Sequence, residues 1–297
     1  ASEGRISHVV IDEAHLVVTW GSGFRPAFQL LPALIASLRE ARNPETPQPI
    51  RVVLASATLT PHTVTTLQKQ FAGSMGHCVV SGIYLRPEPR YAMKHFDTHS
   101  ERKRKVLEAV LKAPRPFILY VTRPEEADDW TRFLKANGVG RIDAFTGETP
   151  TNQRRLLMSA WSNNNLDGMV ATSAFGLGVD KNDVRCVIHA TLPESLDRFY
   201  QEVGRSGRDG LASASLLLFT SEDVNQASDM AFPKFITNEL GYERWLAMLD
   251  DPARPVTSDG EIWVDLNRLR SELTMHGRSN RLWNLRTLNL MAEAGLI

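Results

Sequence analysis

The stretch Val184-Arg-Cys-Val-Ile-His-Ala-Thr-Leu-Pro-Glu-Ser-Leu-Asp-Arg-Phe-Tyr-Gln-Glu-Val-Gly-Arg-Ser-Gly-Arg-Asp-Gly210 carries three signals in order. Val184 to His189 is a short apolar run, as expected of a strand buried in a parallel sheet. Ser195 to Val203 reads as a helix. Gly204, Gly207 and Gly210 keep the following loop narrow, and that loop holds Arg205 and Arg208 three residues apart. Two guanidinium groups so placed suit the γ-phosphate of a nucleotide held by a neighbouring domain, where arginine stabilises the charge that develops in phosphoryl transfer. Read without its upstream context, the same loop is a surface salt-bridge loop.

That context is Val170-Ala-Thr-Ser-Ala-Phe-Gly-Leu-Gly-Val-Asp180, in which Gly176 and Gly178 permit close backbone approach to a phosphate or sugar. Working outward, strands are predicted at 117–121, 168–172, 184–189 and 214–219, with helices at 101–112, 125–137, 152–162 and 195–203. This alternation predicts an α/β fold with a doubly wound parallel sheet over 88–220. Upstream, strands are predicted at 6–11, 51–55 and 78–80, and helices at 26–42 and 61–72. Both of the first two strands have the pattern of a strand buried on both faces. Leu85-Arg-Pro-Glu-Pro-Arg90 reads as a linker, because two prolines in three residues disfavour regular structure. Residues 221–297 read as mostly helical, interrupted at 250–255.

Asp12-Glu-Ala-His15 follows the first strand. Ligands bind at the carboxyl ends of strands in open α/β sheets. A carboxylate there suits Mg²⁺ held through water, and an adjacent one suits the attacking water. Alone, the four residues also fit a solvated turn. Ser56-Ala-Thr58 closes the second strand, and alone fits a turn or helix cap.

In combination these segments resemble the motor motifs of superfamily 2 helicases. Asp12–His15 resembles motif II (a DEAH box), Ser56–Thr58 motif III, Phe117-Ile-Leu-Tyr-Val-Thr-Arg123 the motif IV strand, Ala171–Asp180 motif V, and Gln201–Arg208 motif VI. Three features are similar to the RecQ branch. Trp20-Gly-Ser-Gly-Phe-Arg-Pro26 resembles its aromatic-rich loop, although Ser22 and Gly23 replace the usual His-Asp. Leu85-Arg-Pro to Arg90-Tyr91 resembles its interdomain linker, and Ala144-Phe-Thr-Gly147 resembles its Tyr-His-Ala-Gly segment with positions changed.

The resemblance implies RecA-like sheets, with the end of a first motor domain at 1–87 and a second at 88–220. A helical accessory region would occupy 221–297, winged-helix-like at 256–297. It implies ATP and Mg²⁺ as cofactors, with Asp12 and Glu13 serving the metal and the catalytic water, and His15 linking the nucleotide site to the other domain. Gly178 and Asp180 would bind the nucleotide, Asp180 and Gln201 would help close the cleft, and Arg205 and Arg208 would meet the γ-phosphate. Ser56 and Thr58 would couple hydrolysis to strand displacement. Trp20, Phe24, Arg25, Thr122, Arg123 and Thr172 would touch nucleic acid by stacking and phosphate contact. Trp20 also fits a buried core or lid aromatic. The expected partner is DNA, single-stranded or forked, with RNA second, and the implied activity is 3′–5′ unwinding.

Composition sets bounds on this reading. The 297 residues carry a formal net charge of +0, which argues against a broadly basic nucleic-acid binder but not against a locally charged groove. Two cysteines, Cys78 and Cys186, are too few for a structural zinc site, so no zinc is expected. Such cysteine poverty suits a reducing cytosol, and a cytoplasmic location is expected. No apolar run reaches the roughly 18–20 residues of a membrane span. No phosphate-binding Gly-x-x-x-x-Gly-Lys-[Ser/Thr] loop occurs, and a strand begins almost at once without an initiator Met. The expectation is a portion of a longer motor, one that alone hydrolyses ATP poorly.

In the tail, Leu282, Leu285, Leu288 and Met291 define a helical stripe ending at Gly295. Arg281, Asn284 and Arg286 are expected outward, on a helix that is either packed structurally or a winged-helix reader of DNA. A non-enzymatic DNA-binding scaffold and an RNA helicase stand as alternatives. The intact pairs Asp12/Glu13 and Arg205/Arg208 weigh against the scaffold. Oligomeric state and pathway (repair, recombination or phage defence) stay open.

Overall fold

Phe117–Tyr120 forms strand β4, buried at all four residues, and the larger sheet is built around it. The computed structural model describes residues 6–18, 26–41, 49–72, 76–82, 85–176, 181–231, 236–250, 262–270 and 278–297. Their contacts divide into two units, one of residues 80–232 and one of 1–79 with 233–297.

In the first of these units the strands are β3 (Pro89–Phe96), β4, β5 (Ile142–Phe145), β6 (Gly168–Ala171), β7 (Cys186–His189) and β8 (Ser213–Thr220). They form a six-stranded sheet in the order β3-β8-β7-β4-β6-β5. Every pairing is parallel. The helices are α4 (His99–Lys112), α5 (Pro124–Ala136), α6 (Thr151–Ser162), α7 (Leu196–Val203) and α8 (Ser221–Ala231).

Strand side chains alternate between two cores. On one face Phe117, Leu119, Val170 and Ile188 pack with Val106 and Val110 of α4 and Trp130 and Leu134 of α5. On the other, Ile118, Tyr120, Met169 and Val187 pack with Leu157 and Trp161 of α6 and Val203 of α7. Helices on both faces make the sheet doubly wound, as the alternation predicts.

Strands β3 and β5 lie where the sequence predicts none. β3 begins at Pro89, a first-strand position that tolerates the missing N–H. Six of its eight residues are exposed, so it has no continuous apolar run. β5 has only four residues, two of them half-buried.

The second unit contains β1 (His8–Ile11) and β2 (Arg51–Leu54), paired in parallel, with α1 (Pro26–Gln29), α2 (Leu31–Glu40) and α3 (Pro61–Phe71). Ile11, Ile35, Leu67 and Phe71 form its core, with Val9, Val52 and Leu54 against them. The expectation of burial on both faces fails here. Val10 is 67% exposed and Val53 47%, since the packing helices cover one face only.

The helix predicted over 26–42 is broken at Leu30. Pro32 explains the break, because it lacks the N–H that would bond Phe28 O and its ring crowds that carbonyl. Cys78–Val80, predicted as a strand, pairs with nothing in either sheet, and all three residues are exposed.

This unit also holds α9 (Asn238–Leu249) and α10 (Arg278–Glu293). Gly295 ends α10 at φ 69°, with Leu296 N–H donating to Met291 O at 2.9 Å. Arg281 is exposed as expected, but Asn284 and Arg286 are buried, not outward. Asn284 Nδ2 donates to Leu266 O at 2.9 Å and to Arg268 O at 2.8 Å, while its Oδ1 accepts from Arg244 at 2.8 Å. The Arg286 guanidinium lies 4.8 Å from the Trp283 ring centroid. Polar residues replace part of the expected apolar face because backbone carbonyls and aromatic rings satisfy them. Among the described residues no helix is long and apolar enough to cross a membrane.

Candidate nucleotide and nucleic-acid site

Asp12 and Glu13 stand at the carboxyl end of β1. Ala14 N–H donates to Ala55 O, and Ala55 N–H to Ile11 O, both at 2.9 Å, which ties this turn to the end of β2. Glu13 adopts a left-handed backbone, φ 52° and ψ 41°, a region that β-carbon sterics disfavour. Its N–H donates to Asp12 Oδ1 at 2.8 Å. Asp12 is exposed. Glu13 Oε2 is buried without a hydrogen-bond partner, 3.3 Å from His15 Nδ1.

His15 Nδ1 meets Ser56 Oγ at 2.9 Å. Ser56 Oγ donates to Thr58 O at 3.1 Å and accepts from Thr58 N–H at 3.2 Å. Its single hydrogen goes to the carbonyl, so the imidazole carries its proton on Nδ1 and donates to Ser56. The segments 12–15 and 56–58 are thereby joined.

An exposed carboxylate beside a second one with an unsatisfied buried oxygen fits a water-mediated Mg²⁺ and a water-orienting base. Among the described residues no three His, Cys, Asp or Glu side chains are placed to hold a metal directly.

In the larger unit the arginine loop leaves α7. Ser195 Oγ caps α7, accepting from Arg198 N–H at 3.1 Å. Gly207 has φ 62° and Gly210 φ 78°. Ser206 Oγ donates to Val203 O and meets Ser213 Oγ, both at 2.9 Å. The Arg185 guanidinium forks onto both oxygens of Asp209, and that hydrogen bonding holds the Asp209 carboxyl down to about 2. Arg86 donates to Gly204 O at 2.9 Å, Gly207 O at 2.7 Å and Glu88 Oε2 at 3.1 Å. The linker arginine thus clamps the loop, a role that its place among prolines does not reveal.

Arg205 is half-buried and Arg208 exposed. The Arg205 guanidinium lies against the backbone of Gly176, where an added Cβ would stand 2.9 Å from Arg205 Cζ and closer still to Nη2. Gly176 is therefore needed for this approach. Arg208 Nε donates to Gly204 O at 3.3 Å. Gln201 lies half-buried on α7.

Beyond the ends of β4, β6 and β7 a cleft is lined by Tyr120, Thr122, Ser173, His189, Thr191 and Glu194. Thr122 Oγ1 meets Thr191 Oγ1 at 2.8 Å. Glu126 Oε2 accepts from the N–H of Thr122 and of Arg123, each at 3.1 Å, at the start of α5. Arg123 is exposed and Thr172 is buried. Trp20, Phe24, Arg25, Gly178 and Asp180 lie outside the described residues.

Two buried residues went unassigned in the sequence. His189 Nε2 meets Glu202 Oε2 at 2.9 Å, with relative side-chain exposures of 0% and 8%. The His189 ring stacks on Tyr120 at 5.3 Å between centroids. A His ending an apolar strand and a Glu inside a helix were the available signals, each weak alone.

A six-stranded parallel sheet, a glycine turn after β6 and an arginine loop after α7 are features of the RecA-like C-terminal domain of superfamily 2 helicases. Residues 102–210 match the helicase conserved C-terminal domain family.

Within that class the chain is RecQ-like. It is 34% identical over 218 residues to ATP-dependent DNA helicase RecQ of Bacillus subtilis (strain 168), covering 73% of this chain and 34% of the relative. It is 31% identical to the probable ATP-dependent DNA helicase RecS of the same organism, covering 79% of this chain and 45% of the relative. The chain thus spans about a third to under a half of these curated relatives. Among solved structures, DEAD-box helicase Mss116 bound to ssRNA and UDP-BeF is similar at TM-score 0.58 and 17% identity, over 80% of this chain and 50% of that one. Dbp5 L327V of S. cerevisiae, bound to RNA and ADP BeF3, is similar at TM-score 0.57 and 16% identity, over 78% and 59%. At such identities these two likenesses concern the fold.

Proposed function

We propose that the protein carrying this chain is an ATP-dependent DNA helicase of RecQ type that couples ATP hydrolysis to 3′–5′ translocation and duplex unwinding. The observation that carries the proposal is Arg205 seated on the Gly176 backbone, at the start of a loop clamped by Arg86 and Arg185. Such a preset guanidinium suits transition-state stabilisation, because it needs no reorganisation when charge develops.

In this reading Asp12 serves Mg²⁺ through water and Glu13 orients the attacking water. His15 carries the state of that site to Ser56 and Thr58. Arg205 and Arg208 stabilise the γ-phosphate, with Gly178, Asp180 and Gln201 beside them. Thr122, Arg123 and Thr172, with Trp20, Phe24 and Arg25, serve single-stranded or forked DNA. We place the end of a first motor domain at 1–87, the second at 88–220 and a helical accessory region at 221–297. The DNA helicases among the relatives favour DNA over RNA. Free Cys78 and Cys186 suit a reducing cytosol or nucleoid.

The test is DNA-stimulated ATP hydrolysis by the full-length protein and its Glu13→Gln variant. The expected loss is about 10²-fold or more in kcat, the size of a general-base contribution. A variant as fast as wild type would refute the assignment.

A further inference from the structure

Tyr120 ends β4 on the α6/α7 face of the sheet and is 1% exposed. Its hydroxyl donates to Phe175 O at 3.1 Å. Phe175 immediately precedes Gly176, the residue whose missing side chain admits Arg205. The hydroxyl has one hydrogen, and it is committed to Phe175 O, the carbonyl of the peptide that leads into Gly176, on whose backbone the Arg205 guanidinium lies. Arg205 Nε is itself buried without a hydrogen-bond partner among the described residues.

The Tyr120 ring is itself held. His189 stacks on it at an interplanar angle of 21°, and His189 is fixed in turn by Glu202 of α7, shortly before Arg205 in the chain. Phe199 closes the other side of the imidazole at 5.0 Å.

We propose that Tyr120 is the positioning residue for Arg205: its hydroxyl holds the Phe175–Gly176 turn in place, and that turn is the seat that fixes where the guanidinium lies. The turn after β6 and the loop after α7 then move as one body. This inference rests on the role proposed above for Arg205.

The experiment measures steady-state ATP hydrolysis by the full-length protein, with saturating single-stranded DNA, for Tyr120→Phe, Gly176→Ala, Arg205→Ala and the Tyr120→Phe/Arg205→Ala pair. Tyr120→Phe keeps the ring and is expected to lower kcat roughly tenfold, the scale of one buried hydrogen bond. KM for ATP and DNA affinity should stay within about twofold, because the interaction acts in the transition state. Gly176→Ala displaces the guanidinium from the opposite side and should lower kcat in the same way, a check that does not depend on Tyr120. The pair should be no slower than Arg205→Ala alone, since the phenol acts only through the arginine.

Wild-type kcat in Tyr120→Phe beside a slow Arg205→Ala would overturn this inference alone, and so would multiplied losses in the pair. Wild-type kcat in Arg205→Ala would overturn the inference together with the role of Arg205.

Discussion

Ser56 is the residue on which two strand ends meet, since its hydroxyl serves His15 and Thr58 at once. Ser56→Ala removes both bonds without enlarging the side chain. We expect the variant to keep most of its ATP hydrolysis while unwinding falls about tenfold, the scale set by one hydrogen bond; parallel ATPase and fork-unwinding assays check this. Equal losses in both would mean that the contact serves hydrolysis itself. Asp209 offers a pH test. Its folded carboxyl is held at about 2, below an ordinary value of 3.8, by hydrogen bonding from Arg185. A depressed carboxyl contributes stability that is complete above the unfolded value and is lost as pH falls through the folded one. Acid denaturation of wild type should therefore carry a component between those two pH values that Asp209→Asn lacks. At this scale the paired residues were legible in sequence wherever a motif marked them, as for His15, Ser56 and Arg205. Tyr120 was not, because a Tyr inside a four-residue apolar strand reads as core. Its one signal was a hydroxyl that burial obliges to find a partner.

At the scale of elements, Asp223 joins three of them. Arg102 of α4 donates to it at 2.7 and 2.6 Å, and Thr220 at the end of β8 donates to it from N–H at 2.6 Å and from Oγ1 at 2.9 Å. Its side chain is 6% exposed and that of Arg102 13%. Asp223→Ala would strand a buried guanidinium, and we expect a loss of about 3–5 kcal/mol in urea unfolding. A loss under about 1 kcal/mol, typical of an exposed pair, would contradict this account of the junction. Strands β4, β6 and β7 were legible because each is a mostly apolar run buried on both faces. β3 was not, since it lies at the sheet edge with Tyr91 and Met93 exposed. The stripe on α10 was legible only in part. Hydrophobic spacing marks Leu282, Leu285 and Leu288, whereas Asn280, Asn284 and Thr287 are buried through partners that lie elsewhere in the chain or in the helix itself. Local periodicity carries no information about such distant carbonyls.

For the whole molecule, the chain's likeness to RecQ and RecS unites motifs that are individually weak. Asp12–His15 alone fits a turn and Ser56–Thr58 alone fits a cap, yet in order with the arginine loop they specify a motor. The doubly wound sheet was legible from alternation, and the division of contacts into 80–232 and 1–79 with 233–297 was not, because it depends on α10 packing against α1 and α9. The most direct measurement is ATP-dependent unwinding by the full-length protein of a DNA fork with a 3′ single-stranded arm, beside an RNA fork of the same sequence. The account predicts that the DNA fork opens faster than the RNA fork, and that both Glu13→Gln and Arg205→Ala abolish opening. RNA opening as fast as DNA, or DNA opening that survives in those variants, would contradict it.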